Sequence, residues 1–238
     1  MYRTRETPTV FVIDFDRKWS AALQRTLESA SLRVETFVSG TDFLAMYTAE
    51  RPGCIVANAG LSDLSGRELL QRLRCAGAGP PVILISNGSE VATAVEALHL
   101  GARDFLERPL RSGVLLERVQ AALVQDAAAR RFRALRRLVA ARAVRLTARE
   151  REVLNCVCAG LTNKAIAARL GVSCKVVEAH RAHAMHKMQT RSIAEVVRML
   201  IVLTGDVEGP LAEWVAEPRT VSEETLARPG GPVAPPAL

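Results

Sequence analysis

The chain has 238 residues, of which 49% are apolar and 24% charged, and its net charge is +7. That length suits two small domains, and no charge-free apolar run reaches the ~20 residues a membrane span needs. The first residues, MYRTRETPTV, lack the apolar centre of a secretion signal, and five cysteines are an odd number for a disulfide framework. A cytoplasmic protein with reduced thiols and no membrane contact is expected.

The charge is unevenly placed. Residues 1–125 are neutral overall, 126–144 hold six arginines against one aspartate, and 145–200 hold ten basic and four acidic side chains. Residues 201–238 reverse the sign, with two basic and six acidic. A neutral half joined to a basic half suits a sensor attached to a polyanion binder.

In chain order, TVFVID (9–14) is short, apolar and β-branched and predicts a buried strand. Trp19, Leu23 and Leu27 give helical spacing over 17–30. Further strands are expected at 33–37, 54–58, 81–86 and 104–108, and helices at 40–49, 65–76, 90–100 and 112–125. Strands alternating with helices imply an α/β doubly wound, five-stranded parallel sheet over residues 8–125, with its working site at the carboxyl ends of the strands.

Within this segment IDFD (13–16), NAGLSDLSGRELL (58–70) and ISNGSEVATAVEALHLGARDFLERP (85–109) resemble the receiver domain of bacterial response regulators. The resemblance implies an acidic pair around Asp14, Phe15 and Asp16, a phosphoacceptor at position 58, a switch hydroxyl at Ser86, an aromatic at Phe105 and a cation at 108. Several of these positions depart from the pattern. Asn58 stands where the aspartate nucleophile should be, and an amide cannot form an acyl phosphate. Phe15 replaces the carboxylate that would bind Mg²⁺ directly, Arg108 replaces lysine, and Ser62 replaces proline. The expectation is a pseudo-receiver, a fold kept for protein contact. Rival readings are that Asp63 or another carboxylate takes the phosphate, or that a small molecule or second domain fills the pocket. For Arg108 two placements stand: its guanidinium forks onto Asp14 in the metal space, or it extends into solvent.

Residues 126–144, DAAARRFRALRRLVAARAV, are strong helix formers and should continue the last receiver helix as a rod, with Phe132, Leu135, Leu138 and Val139 on its apolar face. It is either a solvated linker or a dimer seam and signal lever.

Residues 145–203 predict an all-α unit of four helices. Thr147 and Glu150 form a capping box, Gly160 ends the first helix, Thr162 or Asn163 caps the second (164–170), and Gly171 makes the turn. Ser173 caps a third helix to about 189, and a fourth covers 192–203. Helix, glycine turn, helix is the geometry that lays a helix in the major groove. LTAREREVL (146–154), GLTNKAIAARLGVS (160–173) and the run from Val177 to Met188 resemble the LuxR-type output domain of the FixJ/NarL regulators. By position Lys175, Glu178 and Arg181 face DNA, and Lys164 faces a phosphate. Glu178 accepts from a base or orients Arg181. Val176 departs from the family's frequent threonine, which removes a hydroxyl.

His180, His183 and His186 recur at three-residue steps, which drift around a helix and make a poor zinc set; His180 is expected to pack in the domain. Cys156 and Cys158 point apart, and Cys174 is read as an inert thiol. Ile193, Val196, Val197 and Leu200 form a stripe that packs on the domain or meets a twin. From 204 to 238 the chain is expected to be a disordered Pro/Gly-rich acidic tail, with Trp214-Val215 as a docking element.

The resulting expectation is a phosphorylation-independent, sequence-specific transcription regulator without cofactor. It would bind double-stranded DNA as a homodimer, with a sensor kinase or another regulator on the receiver face and RNA polymerase as a further partner. The second reading is a decoy that heterodimerises with another response regulator. No triad, metal cluster or phosphate-cradling glycine loop supports an enzyme.

Overall fold

The computed structural model describes residues 7–75, 77, 79–88 and 91–204. The acidic tail, with Trp214 and Val215, lies outside the described residues. Two compact units divide between Arg133 and Ala134.

The first unit is a five-stranded, all-parallel sheet. Its strands are β1 (Thr9–Ile13), β2 (Arg33–Phe37), β3 (Gly53–Asn58), β4 (Val82–Ser86) and β5 (Asp104–Glu107), in the spatial order β2-β1-β3-β4-β5. The alternation along β1 divides the core. Phe11 and Ile13 face Phe43, Leu69, Leu70 and Leu73 of helices α2 (Gly40–Met46) and α3 (Gly66–Cys75). Val10 and Val12 face Leu23 and Leu27 of α1 (Arg17–Ser29) and Leu115, Val119 and Ala122 of α5 (Ser112–Ala143). The helix between β4 and β5, α4 (Val91–His99), adds Ala97 to the first of these layers. A sheet covered on both faces explains why its central strands read as continuous apolar runs.

α2 stops at Met46, short of the expected residue 49. The carbonyls of Ala49 and Glu50 instead accept from Arg130 Nη1 (3.3 and 2.8 Å), and that of Arg51 accepts from Arg130 Nη2. Arg130 Nε also donates to Asp126 (2.6 Å), which is only 3% exposed and accepts from the backbone N–H of Gly53 at 2.9 Å. A Cβ on Gly53 would sit 1.9 Å from the Thr9 carbonyl oxygen, so only glycine allows this approach of β3 to β1. The segment for which a solvated linker and a dimer seam or lever both stood is thus anchored at its start by a buried carboxylate.

The 32 residues of α5 extend beyond the first unit. Val139 is fully buried in the core of the second unit, with Leu135 and Ala143 beside it at four-residue steps. Leu138, placed on the apolar face by the sequence, is 48% exposed instead. One residue is 100° of helix, and the buried stripe follows 135, 139 and 143.

In the second unit α6 (Ala148–Cys158), α7 (Asn163–Leu170), α8 (Cys174–Met188) and α9 (Ile193–Thr204) pack around two small cores. The capping box is present: the Thr147 hydroxyl accepts from the Glu150 N–H, and Glu150 Oε2 accepts from the Thr147 N–H at 2.8 Å. Gly171 takes the left-handed conformation (φ 65°, ψ 36°) between α7 and α8. Val196, Met199, Leu200 and Leu203 turn α9 onto the core, while Ile193 and Val197 are half-buried outside that cluster.

Glu150 also accepts from Lys187 Nζ of α8 at 2.7 Å. That bond, with the Thr147 N–H, outweighs burial and holds the Glu150 carboxyl at about 2, against an ordinary 4.5. A depressed carboxyl stabilises the fold fully above the unfolded value and loses that contribution as pH falls through the folded one. Unfolding followed from pH 5 to 2 should therefore show an acid-dependent loss in the helical unit that Glu150→Gln flattens. Asp126→Ala, which strands the Gly53 N–H and Arg130, should cost about 2–4 kcal/mol in denaturant titrations. Leu138→Ala should stay within ~0.5 kcal/mol.

Candidate functional site

The register of the sheet gathers the first site. Ile13 pairs with Ala57, so the next residues, Asp14 and Asn58, stand side by side at the carboxyl ends of β1 and β3. Ser86 pairs with Glu107, and the Arg108 N–H donates to the Ser86 carbonyl (2.9 Å), which places Arg108 at the same end.

Asp14 is 2% exposed, and both of its carboxylate oxygens are engaged. Oδ1 accepts from Asn58 Nδ2 (3.2 Å) and from the Asp16 N–H (3.0 Å). Oδ2 pairs with Arg108 Nη2. Arg108 makes this contact with one nitrogen rather than as a fork, and its guanidinium stacks over the Trp19 ring, 3.9 Å from the centroid. The solvent-extended placement is excluded, because the Arg108 side chain is mostly buried. Asn58 Oδ1 accepts from the Gly60 N–H (2.9 Å), which fixes the amide so that its NH₂ faces Asp14.

The remaining positions are turned to other tasks. Asp16 is the N-cap of α1, where its Oδ1 accepts from the Lys18 and Trp19 N–H groups at 2.9 and 3.1 Å. Phe15 is 50% exposed. The Ser86 hydroxyl donates to the Gly88 carbonyl (2.6 Å), and Phe105 packs half-buried against the first core. Magnesium prefers several oxygens in a strict octahedron. Here one buried carboxylate already holds a guanidinium, the next position is aromatic, and the neighbouring amide presents its donor; these residues do not fit the ion.

Asp63, the rival acceptor, is exposed and serves the start of α2. Its carboxylate accepts from the Gly40 N–H (3.2 Å), the Thr41 N–H (2.9 Å) and the Thr41 hydroxyl (2.7 Å). Burial acts to raise its carboxyl, but the Thr41 and Gly40 bonds prevail and hold it below the usual range.

The second site lies on α7 and α8. Val177, Ala184 and Met188 bury the inner face of α8, which leaves Cys174, Lys175, Val176, Glu178, Ala179 and Ala182 exposed. Lys164 is exposed at the start of α7, and Arg181 is half-buried. Glu178 accepts a long bond from Asn163 Nδ2 (3.5 Å), so its neighbour is α7 and not Arg181. Asn163 was read only as a cap; Thr162 caps α7, which frees the Asn163 side chain for this contact. His180 is half-buried, and His183 and His186 are exposed. Among the described residues no three His, Cys, Asp or Glu side chains gather to hold a metal, and no helix is long and apolar enough to cross a membrane.

Other cations of this unit are spent internally. Arg149 donates to the Leu170 carbonyl at 2.7 Å, Arg142 to that of Met188 at 3.2 Å, and Lys187 holds Glu150. These contacts fix α7 and α8 relative to α6 and the end of α5. The sequence reading missed them because each joins residues more than twenty positions apart.

Comparison with known proteins agrees with both halves. Residues 10–120 match the response regulator receiver domain, and residues 144–200 match the bacterial regulatory proteins of the luxR family. The transcriptional regulatory protein FixJ of Azorhizobium caulinodans is 40% identical over 83% of this chain and 93% of its own. FixJ of Bradyrhizobium diazoefficiens is 35% identical over 80% and 93%. Among solved structures, the response regulator StyR superposes with a TM-score of 0.74 at 34% identity, over 82% of this chain and 98% of its own. Full-length FixJ from B. japonicum gives 0.52 at 34% identity, over 87% and 100%. With the two domains in this order and that identity across nearly a whole relative, the chain belongs to the response regulators of the FixJ/NarL type, transcriptional regulators with a LuxR-type DNA-binding domain.

Proposed function

We propose that this response regulator reads specific DNA without phosphate on its receiver, as a homodimer, through Lys164, Lys175, Val176, Glu178 and Arg181. The observation that carries the first part is the closed cluster of Asp14, Asn58 and Arg108. Phosphoryl transfer to a receiver needs a carboxylate nucleophile, a divalent metal and a cation that holds the product. Asn58 supplies no nucleophile, and Arg108 neutralises the carboxylate that would hold the metal. In a two-state receiver, phosphate acts by favouring one state. A pocket already closed by its own cation removes that input and leaves the population to dimerisation or to a protein partner on the receiver face.

The DNA-reading part is supported by the family and by the exposure of the α8 N-terminal face, where a helix end and its cations would meet the duplex. Lys175 and Arg181 serve base edges or phosphates, Lys164 a phosphate, and Glu178 a base amine. Val176 offers apolar contact only. Dimeric binding to paired half-sites follows the usual arrangement of such domains.

Lys175→Ala and Arg181→Ala should each weaken specific binding by about 1–3 kcal/mol in titrations with a selected operator, with unchanged thermal unfolding. Lys164→Ala should reduce affinity evenly across sequences and lower the slope of log affinity against log salt by about 1. In the receiver, Arg108→Met should cost about 3 kcal/mol by stranding Asp14, and adding Asp14→Asn should recover most of it; additive losses in that cycle would dissolve the proposed pairing.

A further inference from the structure

We propose that the acidic segment 205–238 docks on the cationic face of α7 and α8 in its own chain and competes with DNA for that face. This rests on the DNA-reading role given to those helices. The observation is a set of cations with nothing to hold. Among the described residues, the side chains of Lys164, Arg169, Lys175 and Arg181 have no hydrogen-bond or ion-pair partner. Arg142, Arg149 and Lys187 of the same unit are all spent on internal contacts. Unpaired cations on two adjoining helices attract any polyanion, whether a phosphate backbone or a carboxylate-rich chain.

The chain carries such a partner. Residues 205–238 hold Asp206, Glu208, Glu213, Glu217, Glu223 and Glu224 against Arg219 and Arg228 only. The segment lies outside both regions matched to families. It follows directly on α9, which ends at Thr204. Thirty-four residues, which fully extended span on the order of 110 Å, are long enough to cross a small helical unit. Attachment to the same chain makes the encounter intramolecular, which favours a weak site that a free peptide would leave empty. Val176, 40% exposed among these cations, adds an apolar spot to the face.

The test compares the native full-length chain with a full-length variant carrying Asp206→Asn and Glu208, Glu213, Glu217, Glu223 and Glu224→Gln. Without DNA, the amide resonances of Lys164, Lys175 and Val176 and the Trp214 indole should differ between the two chains, independently of protein concentration and less so at high salt. On a 20-base-pair duplex at low salt, the variant should bind roughly fivefold tighter, with the gap closing as salt rises. Coincident α7 and α8 resonances overturn the proposal. So do shifts confined to residues 7–125, shifts that grow with concentration, or equal duplex affinity with DNA bound. If neither chain binds any duplex, the DNA reading fails instead, and the resonances still decide the docking.

Discussion

A carboxylate buried at the end of a parallel sheet costs several kcal/mol unless a cation and hydrogen-bond donors meet it. Asp14 is such a group, and its solution sets the character of the receiver. The charge is met by Arg108, reaching across from the end of β5, and by the amide of Asn58, held in place by the Gly60 N–H. The guanidinium lies over the Trp19 ring. A site that would otherwise call for a metal ion is balanced within the chain. The acceptor amide is built into that balance rather than left facing solvent.

The same division between spent and free charge organises the second unit. Glu150 closes the first turn of α6 and holds Lys187 of α8, while Arg149 holds the last turn of α7. These bonds set the angle at which α8 leaves the glycine turn. Lys164, Arg169, Lys175 and Arg181 on α7 and α8 are among the cations left to meet a polyanion. Midway along the long helix, Asp126 and Arg130 tie α5 to the loop before β3. Each unit is therefore anchored to its own part of α5.

Much of this was legible in the residues. The strands followed from short apolar runs, the capping box from Thr147 and Glu150, and the turn from Gly171. Local patterns carry these features, because each is decided within a few residues. The failures were non-local. Leu138 and Val139 are equally apolar, and only the packing partners decide which is buried. Asp126 reads as a solvated charge until the Gly53 N–H is placed against it, 73 positions away. Arg108 meets Asp14 with one nitrogen while its guanidinium lies over Trp19, which the sequence showed only as part of a helical stripe.

The most direct test of the central claim is intact mass and operator affinity of the purified full-length protein, with and without a small acyl-phosphate donor and Mg²⁺. A closed Asp14–Asn58–Arg108 cluster predicts no phosphorylated species, together with specific binding of equal strength in both conditions. A mass increase of one phosphoryl group with tighter binding would contradict it, and mapping that group would name the carboxylate that does the work of an acceptor.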